Sequence, residues 1–204
     1  MQPLLPAYAE LHCLSNFSFL RGASHPPELV NKAHERGYSA LAITDECSVA
    51  GVVRAHEAIK KLPPGASLQL FIGSEIGLDE GLKLVLLAAD REGYGNLCSL
   101  ITLGRGRANK GNYHLARQDL ANGLPGCFAL LIPGTKLDRE QAYFVAECSP
   151  QRAWIATELL FGPNDRSWLA QLRKLGRQAG LPLVAAGDVH MHTRSRRPLQ
   201  DVLT

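Results

Sequence analysis

The sequence predicts an α/β protein built as a closed or nearly closed barrel of about seven strand–helix units. Three observations carry that expectation. Apolar runs of strand length alternate with stretches of helix length, the rhythm of parallel strands joined by crossover helices. The runs are apolar almost throughout, as in a sheet covered on both faces. Several of them break at their carboxyl ends into acids and histidines, and in a barrel those ends share one face.

The first unit is AELHCLSNFSFLRGAS, residues 9–24, where a short apolar region at Leu11 runs into a polar loop carrying His12, Ser15, Asn16, Ser18 and Arg21. PPELVNKAHERG, residues 26–37, has prolines in its first turn, Leu29, Val30 and Ala33 at helical spacing, and Gly37 as a stop. YSALAITDE, residues 38–46, is a buried strand ending in Thr44, Asp45 and Glu46. A helix from about Val49 to Leu62 is closed by Pro63, Pro64 and Gly65. LQLFIGSEIGL, residues 68–78, is a strand delivering the lone acid Glu75, and a turn at Asp79 to Gly81 leads to a strand over residues 82–88.

Beyond that turn the pattern continues. A helix opens near Tyr94 and stops at Gly104, and residues 109–121 are polar and irregular, with a short helix near Ala116. A glycine-bounded strand covers 126–134, a helix starts at Asp138 and ends before Pro150, and AWIATELLFG, residues 153–162, reads as a strand throughout. Residues 166–180 form an amphipathic helix with Trp168, Leu169, Leu172 and Leu175 on one face. LPLVAAGDVHMH, residues 181–192, is the last strand, carrying Asp188, His190 and His192 beyond it. PLQDVLT begins a final helix in which the chain stops.

Composition narrows the function classes. With 204 residues and 46% hydrophobic content the chain forms one large domain or two small ones with a real core. A net charge of +3 does not by itself imply nucleic-acid binding. Two local basic runs, Arg105, Arg107 and Lys110 within GRGRANKGN and Arg194, Arg196 and Arg197, read more simply as solvated charge than as phosphate contacts. The five cysteines occur singly, without a CxxC pair, which suggests neither a zinc ribbon nor a disulfide framework and fits a reducing cytoplasm. The opening MQPLLPAYAEL is no signal peptide, no window approaches the roughly 18 apolar residues of a membrane span, and a cytoplasmic protein without membrane contact is expected.

The chemistry gathers at the strand ends. His12, Asp45 with Glu46, Glu75, and Asp188 with His190 would converge at one barrel face, and imidazoles and carboxylates converging from several strands are how a hydrolytic multinuclear metal site is built. Each residue alone has a plainer reading as a helix cap or a satisfied buried group. Trp154 and Trp168 read as packing aromatics rather than base-stacking platforms, and GRGRANKGN as a flexible loop rather than a phosphate cradle.

AELHCLSNFSFLRGAS, LAITDECSVAGVVRAH, IGSEI, LVLLAADREGYGNL and AAGDVHMHTRSRRPLQDVLT together resemble the N-terminal PHP domain (polymerase and histidinol phosphatase) of bacterial C-family DNA polymerases, within it the damage-inducible, error-prone branch. The resemblance covers residues 1–204 as one PHP domain, a piece of a longer polymerase whose polymerase region lies beyond 204. It implies a distorted (βα)7 barrel of the PHP type. Metal-binding members of that family carry HxH at the first strand, a further ligand soon after, DH at the second strand, Glu at the third, midchain histidines and DxH at the last. Here His12, Asp45, Glu75, Asp188 and His190 match. Leu14 replaces the second histidine, the next ligand position falls at Arg21, and Glu46 replaces the histidine of DH. Lys83 stands where a midchain histidine would fall, and His114 lies in an irregular region.

Leu14 cannot ligate a metal, and a guanidinium at 21 is permanently charged. The expectation is therefore an ion pair of Arg21 with Glu46, joined by Glu75 or Asp188, in place of a metal. His12, Glu75 and Asp188 can still hold one ion, with residual zinc or manganese as the open alternative to no bound cofactor. The resemblance implies no catalytic residue within this chain. For the parent it implies nucleotidyl transfer with magnesium on DNA and deoxynucleotides, during translesion synthesis and induced mutagenesis, with other mutagenesis or replication proteins as further partners. Two functions of the domain follow: a structural and interaction module, or a working metal-dependent phosphoesterase or 3′–5′ exonuclease using His12, Glu75, Asp188 and His190. A stand-alone sugar-phosphate hydrolase is a third.

Overall fold

The structure is a computed structural model that describes residues 7–203. Residues 1–6, read above for a leader, and Thr204, read as lying within a helix, lie outside the described residues.

Seven strands pair in chain order into one sheet. They are β1 (Ala9–Glu10), β2 (Ala40–Ile43), β3 (Gln69–Gly77), β4 (Lys83–Ala88), β5 (Cys127–Ile132), β6 (Ala153–Thr157) and β7 (Leu183–Ala185). Six helices cover them: α1 (Pro26–Glu35), α2 (Val52–Lys60), α3 (Arg91–Gly106), α4 (Arg139–Cys148), α5 (Asp165–Ala179) and α6 (Arg197–Leu203). Local chemistry sets several boundaries. Asp90 starts α3 by accepting from the Gly93 N–H, Asp138 starts α4 by accepting from Glu140 and Gln141, and Gly180 ends α5 at φ +71°.

The expected all-parallel sheet needs correction. β4 runs antiparallel to both β3 and β5, while the other pairs are parallel. Only a tight turn separates β3 from β4, with Leu78 N–H donating to the Leu82 carbonyl at 2.7 Å and Gly81 at φ +80°. A parallel return needs a crossover of a dozen or more residues, so this turn can only make a hairpin. The reversal brings Lys83, the first residue of β4, to the face where the parallel strands end.

The sheet closes on itself through a bridge between Cys13 and Val189, just beyond β1 and β7. There the Leu14 N–H donates to the Val189 carbonyl at 2.8 Å and the Val189 N–H to that of His12 at 2.9 Å. Nearer the amino end a side chain spans the seam: the buried Glu10 carboxylate accepts from the Gly187 and His12 N–H groups, each at 2.9 Å. Ala42, Val85, Leu87, Leu130, Ile132, Ala156 and Ala186 fill the narrow interior, and two larger apolar clusters lie between sheet and helices. The result is a distorted, nearly closed (βα)7-type barrel. Trp168 packs against the larger outer cluster, and Trp154 meets Phe128 edge to face at 5.6 Å.

Candidate functional site

The loop after β1 is held by the strand-end acid Asp45. Its carboxylate is fully buried and accepts from the Ser15 N–H (2.7 Å), the Ser15 hydroxyl (2.8 Å) and the Ser18 hydroxyl (2.8 Å). Burial raises its pKa and the serine bonds oppose that rise. A Cβ on Gly51 would lie 2.4 Å from this carboxylate, so only glycine lets the start of α2 come so close. Asp45 thus shapes the loop that delivers Arg21, and its oxygens are turned to that loop. Leu14 is fully buried and adds no polar atom to the face.

Around Glu75 the other residues converge. Arg21 Nη1 donates to Glu46 Oε2 at 2.8 Å and to Glu75 Oε1, while Nη2 donates to Glu75 Oε2 at 3.0 Å. Lys83 Nζ lies 3.5 Å from Glu75 Oε1. On the other side His12 Nε2 is 2.8 Å from Glu75 Oε2, and His12 Nδ1 is 2.7 Å from Glu158 Oε1 and 3.6 Å from Asp188 Oδ1. Asp188, at φ +46°, is 2.9 Å from His190 Nε2. Read across the face, carboxylates and cations alternate: Glu158, His12, Glu75, Arg21, Glu46. Only 1% of Glu75 and of His12 is exposed, so this ladder is shielded from water where charges interact most strongly.

Ionisation follows from these contacts. Burial opposes charge on His12, but bonds to Glu158 and Glu75 and their charges outweigh it and hold the pKa up at about 9. The ring is therefore an imidazolium at neutral pH. Burial would raise Glu75, yet His12, Arg21 and Lys83 hold it well below the usual carboxylate range. Burial likewise opposes ionisation of Asp188, and His190 and His12 lower its pKa despite that.

Sequence reasoning missed three members. Glu158 was hidden because the strand was expected to run to residue 162, whereas β6 stops at Thr157 and Glu158 is its carboxyl-end acid. Tyr113, from the irregular segment, donates to Glu46 Oε1 at 3.2 Å and accepts from the Gly77 N–H at 2.9 Å. Gln200 on α6 reaches the Arg21 carbonyl (3.3 Å) and His190 Nδ1 (2.7 Å). Only the abrupt polar step from Thr157 to Glu158 was a usable signal.

Other candidates lie elsewhere. His192 binds Ser24 Oγ at 2.8 Å beside Glu28, which also pairs with Arg196 at 2.5 Å, and His114 is exposed near Asp79. GRGRANKGN is not wholly loop, because α3 continues to Gly106. Within it Arg105 donates to the Cys47 and Glu46 carbonyls and lies over the Tyr113 ring, and Arg107 pairs with Asp119.

The PHP domain family matches residues 10–132, more than half of the chain, a span that includes His12, Arg21, Glu46 and Glu75. The chain belongs to the PHP domain family. This PHP domain is 57% identical over 205 residues to an error-prone DNA polymerase of Dechloromonas aromatica, aligning 98% of the chain with 20% of that protein. It is 54% identical over 200 residues to that of Pseudomonas aeruginosa, with 98% and 19% covered. The PHP domain thus spans about a fifth of the curated relatives it matches. Among solved structures it is similar to a Bifidobacterium adolescentis protein assigned as a metal-dependent phosphoesterase (TM-score 0.65, 16% identity, 91% of this chain and 88% of that one). A Chromobacterium violaceum amidohydrolase is as similar (TM-score 0.65, 15% identity, the same coverage). These two likenesses concern the barrel alone.

The donor set tests whether a PHP metal suits this face. Among the described residues one group, His12, Glu75 and Asp188, brings its ligand atoms within 4.8 Å of one another. Both His12 nitrogens already face carboxylates, so a metal taken up through His12 would have to displace its contact with Glu75 or Glu158 along with a proton. Both Glu75 oxygens are engaged by Arg21, with Lys83 beside one of them. In this arrangement the residues suit a closed set of ion pairs better than a multinuclear cluster.

Proposed function

We propose that this PHP domain is the N-terminal domain of an error-prone DNA polymerase acting in damage-induced mutagenesis and translesion synthesis, and that the barrel itself is a structural and interaction module. The single observation that carries the second half is the Arg21 guanidinium seated between Glu75 and Glu46. A fixed cation there neutralises the carboxylates that a bound metal would otherwise neutralise. The first half is supported by more than half identity, over almost the whole chain, to error-prone DNA polymerases.

On this reading nucleotidyl transfer, with magnesium, DNA and deoxynucleotides, belongs to the region that follows residue 204 in the longer protein. The five free cysteines, four of them buried, fit a reducing cytoplasm, and among the described residues no helix is long and apolar enough to cross a membrane. On this reading Arg21 takes the place of a zinc or manganese ion at Glu46 and Glu75, and His12, Glu75 and Asp188 are left as the one group among the described residues that could take up a residual ion.

A second reading keeps phosphoesterase or 3′–5′ exonuclease chemistry at His12, Glu75, Asp188 and His190, and the grouping of three of these residues favours it. Hydrolysis of p-nitrophenyl phosphate and of a 3′-labelled oligonucleotide in manganese separates the two. The module reading predicts no turnover above a mock purification. Turnover abolished by His190→Ala, with primer extension retained, would establish the enzyme reading instead.

A further inference from the structure

We propose that the pocket over the seam between β7 and β1 docks an acidic segment of a partner protein, with one apolar side chain of that segment inside the pocket and its carboxylates on the rim. This gives the interaction module a partner chemistry, and it rests on the module reading above. The pocket follows from how the barrel closes. Its floor is the bridge between Cys13 and Val189, with Leu41 beside it. One wall is α1, through Leu29 and Ala33, and the other is the segment after β7, through Met191. These residues belong to the apolar layer outside the sheet rather than to the barrel interior. Helix α6, which continues from that segment, buries none of its residues. On its outer side the seam thus keeps an open cavity of about 280 Å³.

Positive charge sits on the rim. Arg36 caps the carboxyl end of α1 and Arg194 opens the single turn before α6, so two residues far apart in the sequence frame one opening. Both are exposed, and among the described residues neither guanidinium has an ion-pair or hydrogen-bond partner. The acids nearby are engaged with other groups. Glu28 pairs with Arg196 and faces His192, and the buried Glu10 accepts from Tyr8 and from the His12 and Gly187 N–H groups. Lys32 adds a third cation to the wall, and its pairing with Glu35 is a solvent-facing contact of little worth.

Two features choose the occupant. Cations without acids call for an anionic partner, and rim charges of this kind set partner choice. Inside, aliphatic walls and a methionine of adaptable shape accept a hydrocarbon side chain, so the pocket has the apolar centre and arginine margin of a protein interface. A nucleic acid fits less well. Tyr38, the tyrosine in the wall, already meets Tyr8 edge to face at 4.9 Å, and three cations fall short of the run of phosphate contacts that holds a backbone.

Fluorescence anisotropy with the full-length protein tests the proposal, the probe being a labelled hexapeptide in which leucine and phenylalanine are flanked on each side by two acidic residues. It should bind with a Kd on the order of 100 µM, weakening at least about fivefold between about 0.05 and 0.5 M salt. Arg36→Ala/Arg194→Ala, at two exposed positions outside the charge ladder, should weaken binding about tenfold and leave Tm unchanged. A peptide with two glycines in place of leucine and phenylalanine should bind about tenfold more weakly than the parent peptide. No binding by the wild-type protein, or binding left unchanged by the double variant or by the glycine replacement, would overturn the proposal. So would displacement of the peptide by oligothymidylate at a site that the same double variant loses, which would make the pocket a nucleic-acid site. Metal content and p-nitrophenyl phosphate turnover are read on the same preparation. Turnover with bound metal removes the module reading, whereas absent peptide binding in an inert, metal-free protein removes the docking site alone.

Discussion

The two halves of the charge ladder solve the same electrostatic problem with different cations. In the β2–β3 half, Glu46 and Glu75 face Arg21, whose charge is permanent, with Lys83 as an outer support. In the β6–β7 half, Glu158 and Asp188 face His12, whose charge depends on the proton that the surrounding carboxylates retain on it. A guanidinium keeps its charge through the pH range in which the protein folds, so the cation of the first half does not titrate. An imidazolium makes the second half titratable. A buried carboxylate needs a cation beside it, and the choice of cation decides whether the site can be reopened.

The largest expected effect comes from breaking the first half. Arg21→Met leaves Glu75, buried and ionised, without its bidentate partner, and should destabilise the domain by about 3 kcal/mol, a fall in Tm on the order of 10 °C. Adding Glu75→Gln should restore much of the loss, because the stranded charge is removed too. Equal destabilisation by the single and double variants would show that Arg21 acts through packing alone.

The second half should announce itself through pH. His12 has its pKa raised from 6.5 to about 9, so its contribution is complete below pH 6.5 and is lost as pH rises through 9. That loss amounts to about 3 kcal/mol by linkage. Glu75, shifted the other way, contributes above its ordinary value of 4.5 and fails as pH falls below it. Denaturant midpoints should therefore be highest near pH 5–6.5 and fall toward pH 9, and His12→Gln should flatten the alkaline limb. An alkaline limb that survives the substitution would place the titration elsewhere.

Smaller changes refine the contrast. Tyr113→Phe removes the bond to Glu46 and strands the Gly77 N–H, for a cost of about 1 kcal/mol read from the urea midpoint. Lys83→Met acts on a partner 3.5 Å from Glu75 and 43% exposed, so its cost should stay below about 0.5 kcal/mol. A Lys83 effect as large as that of Arg21 would erase the distinction between the permanent pair and its outer support.

Much of this was legible in the sequence, for reasons that differ between residues. The strands and their polar ends showed because a sheet covered on both faces writes itself as apolar runs, and His12, Glu75 and Asp188 stand where those runs end. Arg21 stood out because the family resemblance puts a metal ligand at its position, where a fixed cation is chemically anomalous. The reversal of β4 depended on turn length rather than on periodicity, which reads the same in either strand direction. Glu158 was concealed by Leu159, Leu160 and Phe161, which look like strand interior in one dimension and project from a loop in three. Asp45 matched a ligand position by type, yet its oxygens are turned to Ser15 and Ser18, a matter of side-chain direction that spacing does not encode.

The central claim is that a guanidinium occupies the place of a metal. The most direct measurement is the zinc and manganese content of the wild-type protein and of Arg21→Ala, each purified with both ions supplied and then dialysed. The account predicts less than about 0.1 ion per wild-type chain, and a wild-type Tm that a chelator leaves unchanged. One or more tightly held ions per wild-type chain, with a Tm that falls on chelation, would contradict it.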